Sequence, residues 1–195
     1  MIKQIEAYEP YNEQEERDKE IILSMLTEAE RMGEDIFSRE NRMAHMTASA
    51  GVVNRDRAKV LLAYHNIYNS WAWLGGHTDG ERNLLSVAVR EVCEESGLTP
   101  AHVRPAWLIS QKGDLSQGSA GDIFSLEVLA VDGHFKKGEY ISSHLHLNVT
   151  YLLESDEEET LYKKEDENSS VKWFLPEEAL AASSEPWFAE HIYRK

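Results

Sequence analysis

Three glutamates in the middle of the chain have the residue type and the spacing to bind a cation or to move a proton. Glu91, Glu94 and Glu95 stand at positions i, i+3 and i+4 of the segment REVCEESGL, residues 90–98. Because an α-helix turns by about 100° per residue, these side chains share one helix face. Carboxylate oxygens are the ligands that Mg²⁺ prefers, and a carboxylate can also take a proton from water. The spacing therefore predicts a site for a hard divalent cation.

The helix that would carry these acids has its apolar stripe on the same face. The apolar residues one turn earlier on that face are Leu84, Val87 and Ala88. The carboxylates should therefore point inward, where a carboxylate needs a partner or a shifted pKa. Arg90 supplies one positive charge four residues before Glu94, and a divalent cation would balance the rest. The alternative is an acidic helix face that is simply solvated. Gly97 is placed to end the helix in the left-handed conformation.

The same segment resembles the Nudix box, G-x5-E-x7-R-E-U-x-E-E-x-G-U, in which U is a bulky aliphatic residue. With Gly76 as the first glycine, residues 90–98 follow the pattern without a gap. One position departs, because Arg82 stands where the box has its first glutamate, with Glu81 one residue earlier. In the family that glutamate mostly supports the site, so the departure concerns the surroundings of the metal ligands more than the ligands themselves.

The resemblance implies a hydrolase that cleaves the pyrophosphate linkage of a nucleoside diphosphate joined to another group X, with Mg²⁺ or Mn²⁺ as cofactor. It implies that the metal is held by the carboxylates and by the carbonyl of the residue before the box. The implied metal ligands are Gly75, Glu91, Glu94 and Glu95, and the implied catalytic residues are these three glutamates and Arg90. Arg90 would orient the carboxylates, Glu94 most directly.

A hydrolase of this kind also needs a general base within hydrogen-bond reach of the attacking water. The box offers Glu91 or Glu94 for this role. The charged loop KKEDENSS, residues 163–170, offers Glu165 or Glu167. The sequence does not choose among the four, and Glu167 is also a candidate for binding the substrate.

A strand predicted over residues 142–153 carries two histidines on its polar face. His144 and His146 are two residues apart and therefore point to the same side of the sheet. Such a pair could bind zinc, but the sequence offers no cysteine or third histidine at a matching spacing. Hydrogen bonding of His144 and His146 to a substrate is therefore the favoured interpretation.

The hydrophobic pattern predicts one α+β domain around the acidic helix. Strands are predicted over residues 44–54, 59–65, 71–74, 103–108, 123–131, 142–153 and 171–175, with helices at 176–182 and in the tail. The resemblance narrows this to a Nudix-type α/β/α sandwich around a mixed β-sheet over residues 43–195. Residues 1–42 form an N-terminal helical extension, which we expect to pack on its own domain. A homodimer contact and a lid over the site are the alternatives for this extension.

Composition limits the partners of this 195-residue chain. Its net charge of −15 argues against nucleic acid and anionic membranes, and favours a small-molecule nucleoside diphosphate derivative that is met by metal ions. Cys93 is the single cysteine, which excludes an intrachain disulfide and makes a reducing compartment the expectation. No apolar run approaches the ~18 residues that span a bilayer, and the N-terminus lacks a signal peptide's apolar core. We therefore expect a cytoplasmic protein.

Two other functions are open on a Nudix-like fold. A non-catalytic sensor would bind a nucleotide metabolite and control a partner, but such domains commonly lose box carboxylates, and all three are present here. An isopentenyl-diphosphate-type isomerase would want a reactive cysteine in the cleft, whereas Cys93 stands at a variable position inside the helix. The hydrolase is the favoured function.

Overall fold

The computed structural model of the protein describes residues 1–67, 69–106, 121–136, 138–164 and 168–194. Its strands are β1 Ala44–Asn54, β2 Val60–His65, β3 Ser70–Ala72, β4 Leu74–His77, β5 Arg104–Pro105, β6 Ile123–Val131, β7 His134–Lys136, β8 Glu139–Ile141, β9 His144–Ser155 and β10 Asn168–Phe174. Its helices are α1 Ile2–Ala7, α2 Glu13–Met32, α3 Leu84–Ser96, α4 Pro176–Ala182 and α5 Pro186–His191. None of these helices is long and apolar enough to cross a membrane.

A mixed β-sheet forms the centre of the fold. Its main path runs β10-β2-β1-β9-β5, while β3 pairs with β2, β4 with β1, and β6 with β9. The long pair β1–β9 is parallel, and the other pairs of this sheet are antiparallel. Strands β7 and β8 form a separate antiparallel hairpin. The predicted α+β class and mixed sheet are confirmed.

Helices cover both faces of this sheet. Helix α3 packs on the face that carries Met46, Ala48 and Ala50 of β1, which belong to the same buried apolar cluster as its Val87 and Val92. A second, smaller cluster lies on the other face, where Ala179 of α4 packs with Leu62 and Phe174. Alternation along each strand separates the two sets of side chains, because successive residues point to opposite faces. The layers are therefore α/β/α, as the resemblance implied.

The N-terminal residues pack into the same core as the sheet. Helix α2 is capped at its start by Asn12, whose side chain accepts the Glu15 N–H at 2.9 Å, and at its end by Gly33 in the left-handed conformation with φ 69°. Its Ile22 and Leu26 join the main apolar cluster, and the helix runs along β6. The expectation that this helix packs on its own domain is confirmed.

Several boundaries differ from the sequence-based prediction. The strand predicted over 71–74 is divided into β3 and β4, and the one predicted over 142–153 runs from His144 to Ser155. The strand predicted over 103–108 is confined to Arg104–Pro105 within the described part, and residues 107 and 108 lie outside it. The last strand begins at Asn168, earlier than the predicted Val171, because the residues before Val171 continue the ladder with β2 across an irregularity in register. Hydrogen bonding between strands, rather than side-chain pattern, extends this strand.

Candidate active site

The acidic face of α3 packs against the backbone of β4. This short strand pairs with β1, placing Gly75 beside Ser49 and Gly76 beside Ala48. The chain then turns and returns as α3, which ends at Gly97 with φ 74°, as predicted. Because the turn between β4 and α3 is short, the glutamates of the helix face the two glycines of the strand.

Glu95 is fixed by the first of these glycines. The Gly75 N–H donates to Glu95 Oε2 at 3.0 Å, and Glu95 is only 2% exposed. The N–H of Gly75 is therefore used to hold a carboxylate. That the Gly75 carbonyl is a metal ligand stays a prediction.

Glu91 lies against the second glycine. A Cβ on Gly76 would lie 2.5 Å from Glu91 Oε2 and 2.6 Å from its carboxyl carbon, so the carboxylate occupies space that only glycine leaves open. Burial raises the pKa of Glu91, and the hydrogen bond from Arg90 opposes that rise. Glu91 is thus a buried carboxylate with only partial compensation of its charge.

Arg90 connects the strand to the acids. One of its terminal nitrogens donates both to the His77 carbonyl at 2.8 Å and to Glu91 Oε1 at 2.7 Å. Its Nε lies 3.7 Å from Glu94 Oε1, and Lys164 reaches the other oxygen of Glu94 at 3.1 Å. The arginine therefore orients Glu91 more directly than Glu94, the reverse of the emphasis that the helical spacing suggested.

His65 of β2 is a neighbour of the site that sequence reasoning missed. Its Nδ1 lies 3.7 Å from Glu95 Oε1, and its Nε2 lies 3.1 Å from the Trp73 carbonyl. A carbonyl can only accept, so Nε2 carries a proton. The imidazole thus joins the end of β2 to the buried acid, and it forms an ion pair with Glu95 when both nitrogens are protonated.

The donor set suits a hard divalent cation. Two carboxylates, Glu91 and Glu95, are almost fully buried, while Glu94 on the same helix face is half-exposed. Oxygen donors of this kind match Mg²⁺ or Mn²⁺ rather than a softer ion. The proposed contributions of Glu165 and Glu167 lie outside the described residues.

A mostly apolar cavity of about 270 Å³ adjoins the strand that carries the glycines. It lies on the sheet face opposite α3, between β1, β2, β9 and the C-terminal helices. Trp73, two residues before Gly75, lines it together with Phe124 and Tyr193, and the Trp73 and Tyr193 rings are 4.9 Å apart. Such walls suit a flat, aromatic group.

His144 and His146 lie in a different place from the carboxylates. Strand alternation puts them on the sheet face opposite α3, where their rings are each 5.0 Å from that of His45. The His77 ring is also 5.0 Å from His45. The sequence spacing offered no third histidine beside this pair, whereas the parallel pairing of β1 with β9 supplies one. A role of His144 and His146 in substrate binding stays a prediction.

Comparisons with known proteins agree with this architecture. The family model described as NUDIX domain matches residues 44–195. The structure is similar to the MutT protein from Methanosarcina mazei Go1 (TM-score 0.52, 17% identity, covering 79% of this chain and 94% of that one). It is also similar to a C. elegans Ap4A hydrolase complex (0.50, 16%, covering 76% and 92%) and to the E. coli dihydroneopterin triphosphate pyrophosphohydrolase (0.50, 13%, covering 76% and 92%). No curated protein sequence matches the chain. At these identities the structural likeness concerns the fold.

Proposed function

The chain belongs to the Nudix family of hydrolases, which act on pyrophosphate bonds, and we propose that it is a metal-dependent enzyme cleaving a nucleoside diphosphate joined to another group X. One observation carries this proposal: Glu91 and Glu95 are buried against the backbone of Gly75 and Gly76, on the helix face that also presents Glu94. Buried acids cost free energy unless a cation or proton compensates them, so the presence of two buried acids side by side supports a cation site.

The three acids have separate roles in this proposal. Glu95 and Glu91 hold the divalent cation with the Gly75 carbonyl, and the Gly75 N–H and Arg90 fix their orientation. A bound Mg²⁺ or Mn²⁺ would supply charge neutralisation at the diphosphate oxygens and a more acidic attacking water. Arg90, anchored on the His77 carbonyl, keeps the Glu91 carboxylate in place.

Glu94 is the best placed of the three to exchange protons with solvent. Its side chain is 46% exposed, against 11% for Glu91 and 3% for Glu95. A general base must reach the water that it activates, and entering water reaches Glu94 first. Lys164, at 3.1 Å, forms an ion pair with its carboxylate. We assign Glu94 to proton transfer in addition to cation binding.

The cavity beside Trp73 is the proposed site of the base or of the X group. Base–aromatic stacking tolerates any base, which fits a pocket of aromatic and aliphatic side chains. The net charge of −15 supports a free metabolite over a nucleic acid, because the chain would repel a phosphate backbone. With its single cysteine, the protein is assigned to the cytoplasm, and residues 1–42 to a helical extension of the domain 43–195.

The test is product release over a panel of nucleoside diphosphate derivatives with Mg²⁺, Mn²⁺ or EDTA. The panel includes nucleotide sugars, ADP-ribose, CoA, oxidised dNTPs, Ap4A and dihydroneopterin triphosphate. The last two are included because two of the similar structures are enzymes named after these compounds. We expect metal-dependent cleavage of one compound, which Glu95→Gln lowers by at least about 100-fold, since glutamine can still accept the Gly75 N–H but cannot neutralise a cation. Glu30→Gln, on an exposed position of α2, is the matched control and should be unchanged.

Two results would contradict the proposal. Full activity in Glu95→Gln would remove the carboxylate from the metal site. No cleavage of any compound, together with a ligand-induced rise in melting temperature, would indicate a sensor that binds the nucleotide without hydrolysing it.

A further inference from the structure

We propose that His45, His144 and His146 form a second metal site, separate from the carboxylates, for a transition-metal ion of the Zn²⁺ class. These three residues, here called the histidine triad, lie on the sheet face opposite α3. One ring nitrogen from each lies within 4.8 Å of one from both others. The inference is independent of the substrate and of the proposed hydrolysis.

The backbone register creates the triad. His45 of β1 pairs directly with His146 of β9 in the parallel ladder, and His144 is two residues earlier on the same face of β9. The Nε2 atoms of His144 and His146 are 3.2 Å apart. In a tetrahedral zinc site with Zn–N bonds of about 2.0–2.1 Å, neighbouring nitrogens are about 3.3 Å apart. This pair therefore already has the spacing of two zinc ligands, and the third nitrogen needs a shift of at most about 1.5 Å.

Backbone carbonyls set the tautomers of two members. His45 Nδ1 lies 2.9 Å from the Asn41 carbonyl, and His144 Nδ1 lies 2.9 Å from the Ser142 carbonyl. Because a carbonyl only accepts, both Nδ1 atoms carry the proton and both Nε2 atoms present a lone pair, which in His144 accepts a hydrogen bond from His146 Nε2 at 3.2 Å. A histidine that donates its other N–H to a carbonyl is the arrangement that orients metal-binding imidazoles.

The lone pair of His45 has no partner among the described residues. His45 is 3% exposed, and its Nε2 is buried without a hydrogen bond in the part of the chain that the structure describes. A buried polar atom of this kind destabilises the folded protein when it is left unsatisfied. A metal ion held between the three rings would satisfy it, which is the observation that distinguishes this cluster from histidines that merely pack together.

The chemistry of the donors selects the ion. Neutral imidazole nitrogens suit Zn²⁺, Cu²⁺, Ni²⁺ or Co²⁺, whereas Mg²⁺ and Ca²⁺ prefer oxygen. The two sites of the protein thus differ in donor type, and Mg²⁺ will not compete for the triad.

The triad also lies next to a strand of the catalytic region. The His77 ring is 5.0 Å from His45 and 5.1 Å from His146, and the His77 carbonyl accepts from Arg90. An ion bound by the triad would tie β1 to β9 directly beside β4. We expect its effect to be structural, seen as a higher melting temperature.

The experiment uses the full chain with Glu91→Gln and Glu95→Gln, so that the carboxylate site does not contribute. After dialysis against a chelator, Co²⁺ is added as a spectroscopic probe, and Zn²⁺ affinity is measured by competition with a chromogenic chelator. We expect one equivalent of Co²⁺ with the intense visible bands of a four-coordinate nitrogen site, displaced by one equivalent of Zn²⁺, and no response to Mg²⁺.

Single variants in the same background identify the ligands. His144→Gln, at a half-buried position, should fold normally and weaken Zn²⁺ binding by at least about 100-fold, more than the 10–100-fold typical of residues behind the ligands. His45→Asn and His146→Gln should also abolish the bands. His102→Gln is the matched control, because His102 pairs with Glu159 elsewhere and should leave binding unchanged.

The proposal is overturned if Co²⁺ gives only the weak bands of an oxygen-ligated ion, or if Zn²⁺ binds equally well to His144→Gln and the parent. It is also overturned if no transition metal binds. A raised KM for the substrate in His144→Gln and His146→Gln, made in the otherwise unmodified protein, would then assign these residues to hydrogen bonding with the substrate.

Discussion

The carboxylate of Glu91 occupies the space that a side chain on Gly76 would require, with Oε2 only 2.5 Å from the position of such a Cβ. The glycine and the acid are 15 residues apart in sequence, yet each restricts the other. A small residue is needed at Gly76 because the acid packs against the strand, and the acid is held in place because the strand gives it room. This relationship makes the glycine testable as part of the cation site.

Gly76→Ala should reduce activity far more than stability. The new methyl would meet the far end of a flexible side chain, and Gly76 is not among the residues with positive φ, so alanine is compatible with the backbone. The displaced Glu91 rotamer costs about 1 kcal/mol. We expect at least a tenfold loss of kcat and weaker Mg²⁺ activation, with a small change in melting temperature, measured by metal titration of activity and by thermal unfolding.

Gly75→Ala is the comparison variant. Its Cβ would lie 2.7 Å from both the Ala48 carbonyl oxygen and the Ser49 Cα, which are backbone atoms of the neighbouring strand. The strands must separate, so we expect a loss of stability of about 1–3 kcal/mol. Equal melting temperatures for Gly75→Ala and Gly76→Ala would contradict the expectation that a Cβ on Gly76 meets only the Glu91 side chain.

The acidic helix could be predicted from the sequence, because the residues that signal it are close to one another along the chain. Helical spacing placed the glutamates on one face, and Gly97 ended the helix where the left-handed conformation was expected, at φ 74°. The strands β1, β2 and β6 were also predicted, because the residues that signal a strand lie within a few positions of one another. Local pattern thus predicted the elements and the candidate cation ligands.

Contacts that depend on strand register could not be predicted from the sequence. His65 reaches Glu95 across 30 residues, and His45 meets His146 across 101, through pairings that no spacing rule reveals. On the polar face of β9, Asn148 and Thr150 are buried, and both donate hydrogen bonds to Glu127, at 2.9 and 3.0 Å. A polar face is buried when a neighbouring strand supplies its partners.

Restoring the family glutamate by Arg82→Glu should change activity only modestly. Arg82 is exposed, lies over the Phe37 ring at 4.5 Å, and is 3.4 Å from Asp35. Both contacts tie the end of the N-terminal extension to the turn before α3, and their loss should cost less than about 1 kcal/mol. The measurements are kcat/KM and melting temperature. A large rise in activity would show that Arg82 impairs the surroundings of the cation site.

Removing the buried charge of Glu91 should make metal-free stability less dependent on pH. Burial raises the pKa of Glu91, so the folded state binds a proton more tightly than the unfolded state does. Stability associated with this group is therefore present below its ordinary pKa of 4.5 and is lost as the pH rises toward the higher folded value. In EDTA, the stability of Glu91→Gln relative to the parent should rise over that window. Urea unfolding from pH 4 to 8 measures it, and parallel curves would contradict the shift.

Tyr8 links the N-terminal extension to the sheet, and its hydroxyl should contribute measurably to stability. It donates to Glu15 at 2.6 Å, and Glu15 is fully buried and accepts from Ser125 at 2.9 Å. Tyr8→Phe leaves the buried carboxylate without one donor, at an expected cost of about 1–3 kcal/mol in urea unfolding. Tyr11→Phe, at a position 54% exposed, is the control and should be neutral. Equal stability of both variants would mean that water replaces the lost donor.

Trp73→Ala should raise KM more than it lowers kcat. Trp73 lines the apolar cavity, and its ring contacts that of Tyr193. Among the described contacts, its side chain is not one of the groups that hold the carboxylates. Loss of a stacking surface costs about 1–3 kcal/mol per base, which is roughly a 5- to 150-fold rise in KM. The same variant should leave the Mg²⁺ requirement unchanged, in contrast to Gly76→Ala. A fall in kcat with unchanged KM would instead indicate that Trp73 acts indirectly, through its own backbone carbonyl, which His65 contacts.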